Sequence, residues 1–300
     1  MTTGPDKVSI VIPAKNEAAS LSLLLGEISE LYPDAEVIVV NDGSTDSTSV
    51  TSRNLGALVI DHPYSKGNGA AIKSGARAAS GDVIVFMDAD GQHRPADIQY
   101  LLEKIRDGYD LAVGSRSRAA QASFARWCAN RTYALVARWM VGRRVDDLTS
   151  GFRAVRSEYF KDILPLLPNG FSYPTTSTMA FFRAGHSVCF TPVDVQQRHA
   201  GRSSHIRILR DGARFFLIIF RVGTLYSPLK MFLPISLLFF LAGSGYMAFT
   251  LTTAGRFTNF GGVLLTTSIV IFLIGLVSEQ ITSSFYSLVL SDRKSAISRE

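Results

Sequence analysis

Two long apolar segments near the C-terminus constrain this chain more than any other feature of its sequence. Residues 231–252 carry no charged side chain, and residues 262–284 carry one. As a helix, each segment is long enough to cross about 30 Å of hydrocarbon. Segments of this kind also occur as buried helices of soluble cores, but their length favours membrane spans. The sequence therefore predicts a two-helix transmembrane hairpin.

The charges around this hairpin predict its orientation. The short connection at 254–260 contains one basic residue, Arg256, whereas Arg221, Lys230 and Arg293 lie on the flanks. Under the positive-inside rule, flanks richer in basic residues stay in the cytoplasm. We therefore expect a multi-pass protein of the cytoplasmic membrane with both termini cytoplasmic.

Basic and apolar side chains are mixed just before the hairpin. Residues 206–226 place four arginines among Ile, Leu and Phe, a pattern typical of an amphipathic helix in the membrane interface. Basic clusters also bind nucleic acid, but contiguity with apolar spans favours anionic lipid, so we expect no nucleic-acid partner. The predicted organisation is a cytoplasmic domain at 1–205, an interfacial helix at 206–228 and a membrane region at 229–300 with a short cytoplasmic tail.

The N-terminal part alternates β-branched runs with helical stretches. Strands are predicted at 8–13, 36–40, 57–60, 82–87 and 111–114, and helices at 17–31, 47–55, 69–79 and 96–107. This alternation is typical of an α/β fold, in which helices cover both faces of a mostly parallel sheet. Ligands bind such sheets at the carboxyl ends of the strands. Polar residues cluster at four of these ends, which predicts a site there.

The strongest chemical signal follows the strand predicted at 82–87. The segment Asp-Ala-Asp-Gly-Gln-His occupies residues 88–93. In an extended chain, residues two apart point the same way, so Asp88, Asp90 and Gln92 can present oxygen atoms on one side. Hard oxygen ligands suit Mg²⁺ or Mn²⁺, which bind through one or two carboxylates and substrate phosphates. We therefore expect a metal site with Mg²⁺ or Mn²⁺ as the cofactor.

Two further strand ends and one glycine-rich turn carry polar groups. Asp42 ends a strand, where its carboxylate can accept hydrogen bonds from a base or ribose. Asn16 is a plausible helix cap, which leaves Glu17 to face the cleft. Residues 67–69, Gly-Asn-Gly, could direct backbone N–H groups towards an anion, but they lack a full dinucleotide fingerprint and are first of all a tight turn.

Four segments together resemble a known family. They are Pro-Ala-Lys-Asn-Glu at 13–17, Asn-Asp-Gly-Ser-Thr-Asp at 41–46, the acidic segment at 88–93, and Asp-Leu-Thr-Ser-Gly-Phe-Arg at 147–153. In this order they resemble the inverting family-two glycosyltransferases of the GT-A fold. Within these, the chain is similar over about residues 7–230 to polyprenyl-phosphate hexosyltransferases, the relatives of dolichyl-phosphate mannose synthase.

The resemblance implies roles for residues near the donor. The nucleotide sugar would be bound by Pro13, Ala14, Glu17, Asp42 and Asp88. The metal would be bound by Asp88, Asp90 and Gln92, with Asp90 catalytic. Asn41 stands where many relatives have a second aspartate, so Asp42 is alone at that strand end.

Arginines point to the site of a lipid phosphate. Arg116 follows the strand predicted at 111–114 and is expected to face the cleft. Relatives carry an arginine and a hydroxyl residue for this phosphate at about the spacing of Arg126 and Asn130, with Arg131 as the alternative arginine. Guanidinium groups bind phosphate in a bidentate manner, although solvated surface arginines would give the same pattern.

The resemblance also implies roles for Asp147 and Arg202. The segment around Asp147 lies beside the sugar in relatives, where it acts either as a base or to position the substrate. A basic segment like residues 196–205 closes over the donor in relatives, which would bring Arg202 to the diphosphate as a catalytic residue. The alternative is that the basic residues of this loop contact anionic lipid.

The resemblance implies transfer of a hexose from a GDP- or UDP-linked sugar to a polyprenyl phosphate, by metal-assisted single displacement with inversion. Mannose from GDP-mannose is the expected donor, with UDP-glucose and UDP-GlcNAc as alternatives. A processive polysaccharide synthase would need more spans and a Gln-x-x-Arg-Trp motif, which the sequence lacks. A catalytically inactive membrane scaffold is the remaining alternative. The oligomeric state is left open, a homo-oligomer included.

Overall fold

The structure of the protein is a computed structural model. It describes residues 6–116, 135, 138–143, 145–170, 172–194, 220, 223–224 and 226–297, without the side chains of Arg116 and of residues 288–297. The chain divides into two compact units, Met1–Asp211 and Gly212–Glu300. Most of the predicted interfacial helix, 206–228, therefore lies outside the described residues.

The described part of the first unit contains a seven-stranded sheet. The strands are β1 (Val8–Ala14), β2 (Glu36–Asn41), β3 (Leu58–Asp61), β4 (Val83–Phe86), β5 (Leu111–Arg116), β6 (Arg153–Arg156) and β7 (Val188–Val193). Their order is β3-β2-β1-β4-β6-β5-β7. Every pairing is parallel except those of β6, which is antiparallel to both β4 and β5. The predicted mostly parallel sheet is confirmed, whereas β6 and β7 were not predicted.

Six α-helices of this unit are described. They are α1 (Ala18–Leu31), α2 (Thr48–Asn54), α3 (Asn68–Ala78), α4 (Ile98–Arg106), α5 (Ser157–Asp162) and α6 (Tyr173–Arg183). A 3₁₀ turn, Pro95–Asp97, precedes α4. The four predicted helices are confirmed to within two residues at each end, with the 3₁₀ turn as the start of the last one.

The core of this unit lies along the central strands. The Ile and Val side chains of β1 from Ile10 to Ile12 are fully buried, as are those of β4. Strands covered on both faces are apolar throughout, which is why they are recognisable as runs of Ile and Val. From α1, Leu21, Leu25 and Ile28 pack onto the sheet at helical spacing. Burying each such side chain stabilises the fold by roughly 1.5–3 kcal/mol.

The antiparallel strand β6 determines what lies at the functional edge of the sheet. Arg153, its first residue, pairs with Phe86 of β4 on one side and with Val113 of β5 on the other. Because β6 runs opposite to its neighbours, its beginning lies at their carboxyl ends. The segment at 147–152 is thereby brought to the edge where the sequence predicts a site.

The second unit is a hairpin of two long apolar helices, α7 (Pro228–Ala254) and α8 (Asn259–Ile297). Only 11% and 17% of the residues in their most apolar stretches are buried, whereas a helix in a soluble core would be mostly covered. Both predicted spans lie inside these helices. The second helix, α8, continues past the predicted span at 262–284 to Ile297.

Polar contacts join the two helices of the hairpin. The hydroxyl of Ser236 donates to the carbonyl of Ser268 at 2.9 Å, and the hydroxyl of Ser268 donates to the carbonyl of Ser236 at 3.0 Å. Near the start of α7, the N–H of Leu229 donates to the Glu279 carboxylate at 3.3 Å. In an apolar surrounding these groups need internal partners, so the contacts hold the helices in one register.

Candidate active site

The ends of β1 and β2 form one continuous surface of backbone and small side chains. Ala14 pairs in register with Asn41, and the Ala14 carbonyl accepts a hydrogen bond from the N–H of Asp42 at 2.9 Å. Pro13 pairs with Val40 on the same two strands. Pro13, Ala14 and Asp42, three of the residues expected at the nucleotide, therefore lie together at the carboxyl edge of the sheet.

The start of α1 differs from the prediction that Asn16 caps it. Asn16 has a positive φ of 56° and lies before the capping position, which Glu17 occupies. The N–H groups at the start of α1 are bound by residues at and just before the start of α2 instead: the N–H of Glu17 donates to the Thr48 hydroxyl and that of Ala18 to the Asp46 carboxylate. The prediction that Asn16 caps α1 was wrong because it considered only partners that are close in the sequence.

Two side-chain hydrogen bonds further order the start of α1. The Asn16 side-chain oxygen accepts a hydrogen bond from the N–H of Thr45 at 2.8 Å. The Glu17 carboxylate accepts one from the hydroxyl of Ser20 at 2.8 Å, in the first turn of α1. Glu17 is half-buried, and its carboxylate is oriented by its own helix.

Asp42 is a buried carboxylate of the site, with 5% of its surface exposed. Its oxygens accept hydrogen bonds from His62 Nδ1 (2.8 Å), the Ser65 hydroxyl (2.7 Å) and the N–H groups of Lys66 (2.8 Å) and Gly67 (2.9 Å). Burial alone would raise its pKa, but these hydrogen bonds outweigh burial and lower the pKa to about 2. Asp42 is therefore ionised at neutral pH and holds the 65–67 turn.

His62 connects this carboxylate to α3. While Nδ1 of His62 contacts Asp42, Nε2 lies 2.9 Å from the hydroxyl of Ser74. His62 was not among the predicted site residues. The one signal for it in the sequence is its place two residues after the strand predicted at 57–60, at the edge where the other polar residues cluster.

The glycine-rich turn at 67–69 is a tight turn rather than an anion site. Gly67 has a φ of 100°, which favours glycine. The N–H of Gly67 is bound by Asp42, and the N–H of Gly69 donates to the carbonyl of Gly170 at 3.3 Å. Because these donors already have protein partners, the turn offers no set of N–H groups to an anion.

The acidic segment after β4 does not continue as an extended chain. It turns at residues 89–90, and Gly91 has a φ of 70°. The Asp90 carboxylate accepts a hydrogen bond from the N–H of Gln92 at 3.2 Å. The expected alternation of side chains is therefore wrong here, and a turn at the end of β4 presents Asp88, Asp90 and Gln92.

Asp88 lies directly against the segment that precedes β6. A Cβ atom added to Gly151 would stand 2.8 Å from Oδ2 of Asp88, closer than atoms pack. The carboxylate thus occupies the space that a side chain at position 151 would fill. Gly151 permits the contact between the acidic turn and the segment at 147–152.

Asp147 organises this same segment. Its Oδ1 accepts hydrogen bonds from the N–H and hydroxyl of Thr149, both at 2.8 Å, and from the N–H of Ser150 at 3.2 Å. These bonds form a compact turn typical of aspartate in loops. Asp147 and Asp88 thus belong to two turns that meet at Gly151.

The other predicted site residues are only partly described. Arg116 ends β5 and is in register with Val193 of β7, at the same edge of the sheet. Arg126, Asn130 and Arg202 lie outside the described residues.

The oxygen atoms at this edge suit a hard divalent cation whose ligands come partly from the protein and partly from a substrate. No group of three or more His, Cys, Asp and Glu side chains converges within the part of the chain that the structure describes. The available protein ligands are the carboxylates of Asp88 and Asp90 and the amide of Gln92. One or two carboxylates completed by substrate phosphates are what Mg²⁺ requires in such sites.

A mostly parallel sheet, with an acidic turn after β4 and one antiparallel strand beside it, defines a glycosyltransferase of the GT-A class. The chain belongs to glycosyl transferase family 2, whose model matches residues 9–164. A second model, the GtrB C-terminal hairpin, matches residues 227–284. The predicted family and fold are therefore confirmed, and the apolar hairpin indicates a protein located at a membrane.

Two curated relatives act on lipid phosphates, according to their names. The undecaprenyl-phosphate mannosyltransferase of Micrococcus luteus is 31% identical over 212 residues, 66% of this chain and 86% of that protein. The polyprenol monophosphomannose synthase of Mycolicibacterium smegmatis is 31% identical over 209 residues, 65% of this chain and 79% of that protein. These relatives support glycosyl transfer to a lipid phosphate.

A solved structure shares the fold. Glucosyl-3-phosphoglycerate synthase from Mycobacterium tuberculosis, in complex with Mn²⁺, uridine diphosphate and phosphoglyceric acid, superposes with a TM-score of 0.59. The identity is 23%, and the match covers 73% of this chain and 78% of that chain. At this identity the likeness establishes the fold alone.

Proposed function

We propose that this protein transfers mannose from GDP-mannose to a polyprenyl phosphate at the membrane surface. The observation that carries the proposal is one chain that joins an acidic turn at the carboxyl edge of a GT-A sheet to an apolar two-helix hairpin. Such a hairpin would anchor the chain in the membrane that contains the lipid acceptor. The named mannosyltransferase relatives support mannose as the sugar.

In this proposal the nucleotide lies across the ends of β1 and β2. Pro13, Ala14, Glu17 and Asp42 contribute to its pocket, together with Asp88. Because the oxygens of Asp42 already accept four hydrogen bonds, Asp42 contributes mainly by fixing the turn at 65–67.

Asp88, Asp90 and Gln92 would hold Mg²⁺ or Mn²⁺ together with the diphosphate of the donor. When bound, the cation offsets the negative charge that the leaving nucleoside diphosphate acquires. The structural neighbour from Mycobacterium tuberculosis was solved in complex with Mn²⁺ and uridine diphosphate, which is in keeping with a divalent cation in this proposal.

The transfer itself would be a single displacement. An oxygen of the lipid phosphate forms a bond to the anomeric carbon while the bond from that carbon to the diphosphate breaks, and the configuration inverts. A phosphate monoester has a second pKa of about 6, so its oxygen is already a nucleophile at neutral pH without a general base. Asp147 then serves to order the segment beside the sugar, as its hydrogen bonds to Thr149 and Ser150 support.

The acceptor phosphate would be bound by basic and polar side chains at the end of β5 and in the segment that follows it. We assign this role to Arg116, Arg126 and Asn130, and we assign Arg202 to the diphosphate of the donor. Arginine suits both positions because its planar guanidinium binds two phosphate oxygens at once.

A donor screen tests the function. Membranes containing the protein are supplied with undecaprenyl phosphate, Mg²⁺ or Mn²⁺, and GDP-mannose, UDP-glucose or UDP-GlcNAc in separate reactions. We expect a mannosyl lipid from GDP-mannose alone, and no product when undecaprenol replaces undecaprenyl phosphate. If a glucosyl or N-acetylglucosaminyl lipid forms instead, that sugar would replace mannose in the proposal. If none of the donors yields a glycolipid, the result would favour the catalytically inactive scaffold.

We further propose that the catalytic domain and both termini are cytoplasmic, with an interfacial helix over 206–228. The basic flanks of the hairpin and the single arginine in its connection support this orientation. A reporter fused after Glu300 is expected to be active in the cytoplasm, and a second one inserted at Gly255 to be active outside. A reporter after Glu300 found on the outer face would contradict the orientation.

A further inference from the structure

Arg153, at the start of β6, is a charged side chain with no exposed surface. Removing a guanidinium from water is costly unless its donors and its charge are both satisfied. In the sequence, Arg153 is the last residue of the segment at 147–153, and no role was predicted for it. In the structure Nη1 and Nη2 are bound, whereas Nε has no hydrogen-bond partner among the described residues.

The guanidinium joins the start of α6 to the segment at 147–152. Nη1 donates to the Pro174 carbonyl at 2.9 Å, the Ser177 hydroxyl at 2.7 Å and the Thr178 hydroxyl at 3.2 Å. Nη2 donates to the Ser150 carbonyl. One side chain therefore ties a helix end to the backbone next to Gly151.

Tyr173 makes a parallel connection. Its ring lies 5.6 Å from the guanidinium carbon of Arg153, and its hydroxyl donates to the Gly151 carbonyl at 3.3 Å. The consecutive carbonyls of Ser150 and Gly151 are thereby held by hydrogen bonds from Arg153 and Tyr173. The Asp88 carboxylate packs against the same Gly151.

Acidic groups of the site offset part of the cost of burying the Arg153 charge. Burial lowers the pKa of the guanidinium, and the phenol of Tyr173 and the carboxylates of Asp147 and Asp88 oppose this shift only in part. An arginine remains protonated even so. A fixed positive charge thus lies close to the two turns that carry the carboxylates of Asp88 and Asp147.

We propose that Arg153 and Tyr173 are positioning residues for the transfer reaction, which together hold the backbone at 150–151 so that the Asp88 carboxylate has one fixed place. The proposal rests on the proposed function, because it assigns Asp88 to the cation and nucleotide. Residues that do not bind the metal themselves but orient its ligands change metal affinity or activity by roughly 10–100-fold when they are substituted.

The test compares Arg153→Lys with Arg156→Lys. Lysine keeps the charge of Arg153 but loses the planar fork that reaches Pro174 and Ser150 together. Arg156 lies on the same strand and binds Asp6 and the Ile105 carbonyl, which makes it a matched control. Binding of Mn²⁺ in the presence of GDP or UDP is followed by the electron paramagnetic resonance signal of the free ion, which requires no turnover.

We expect Arg153→Lys to weaken Mn²⁺ binding roughly 10–100-fold and to lower kcat by a similar factor, with the KM for lipid phosphate changed less than about threefold. Arg156→Lys should leave all three values within about twofold of wild type. A folded Arg153→Lys protein with wild-type Mn²⁺ binding and kcat would overturn the proposal. A wild-type protein that binds no Mn²⁺ with either nucleotide would instead refute the proposed function.

Tyr173→Phe decides the question if Arg153→Lys does not fold. This change removes only the hydroxyl that donates to the Gly151 carbonyl and leaves the ring in place. Weaker Mn²⁺ binding by at least about threefold would support the positioning role, since one net hydrogen bond contributes about 1 kcal/mol. Unchanged Mn²⁺ binding in Tyr173→Phe would overturn it.

Discussion

Asp90→Asn is expected to lower the rate of glycolipid formation at least about a thousandfold while the protein stays folded. A factor of this size corresponds to about 4 kcal/mol of transition-state stabilisation. The amide has the shape of the carboxylate and can still accept the hydrogen bond from the N–H of Gln92, so the turn is preserved. What is lost is the charge with which Asp90 would hold the cation at the leaving diphosphate.

Initial rates with saturating donor and lipid phosphate measure the effect, and the melting temperature reports the fold. Asp34→Asn is the matched control, because Asp34 is exposed and precedes β2, at the opposite edge of the sheet. It should retain the wild-type rate. If folded Asp90→Asn turns over like wild type, the assignment of Asp90 to the metal site is wrong.

Gly151→Ala is expected to reduce kcat by about a hundredfold, because a misplacement of about 1 Å in a catalytic group has an effect of this order. The added methyl group would stand 2.8 Å from Oδ2 of Asp88 and 3.3 Å from its Cγ. Either the carboxylate or the segment at 147–152 must then move. The backbone of Gly151 is outside the left-handed region, so the substitution acts through this contact and not through backbone strain.

Kinetics and thermal unfolding together separate this effect from a general loss of stability. Overpacking of this kind destabilises a protein by about 1–3 kcal/mol, which is small beside the expected loss of rate if the protein remains folded. Gly170→Ala is the control, since a Cβ there meets no atom within 4 Å. Wild-type kcat in Gly151→Ala would mean that the position of Asp88 against Gly151 does not matter for transfer.

The parts of the structure that the sequence predicted are those with a local pattern. The buried strands β1, β2 and β4 are recognisable because strands covered on both faces contain little but Ile and Val. The two hairpin helices are recognisable by length and apolarity, which need no knowledge of distant residues. The motifs at 13–17, 41–46 and 88–93 follow strands, and strands of one parallel sheet end at one edge.

Local patterns failed where distant residues supply the partners. Asn16 has the chemistry of a helix cap, yet Asp46 and Thr48, about 30 residues further along the chain at the start of α2, bind the N–H groups at the start of α1. The residues after β4 were expected to alternate, but a glycine in a left-handed conformation turns the chain at Gly91. In both places the choice between conformations depends on contacts that a short window of sequence does not contain.

The sequence by itself determined the class of fold, the edge of the sheet that carries the site and the presence of an apolar hairpin, because each follows from periodicity, length or strand direction. Only the tertiary structure decided that β6 inserts between β4 and β5 and runs against them. That insertion places Gly151 against Asp88 and buries Arg153 behind them. Their positions are 63 and 65 residues from Asp88 along the chain, and such contacts form only when the whole sheet is assembled.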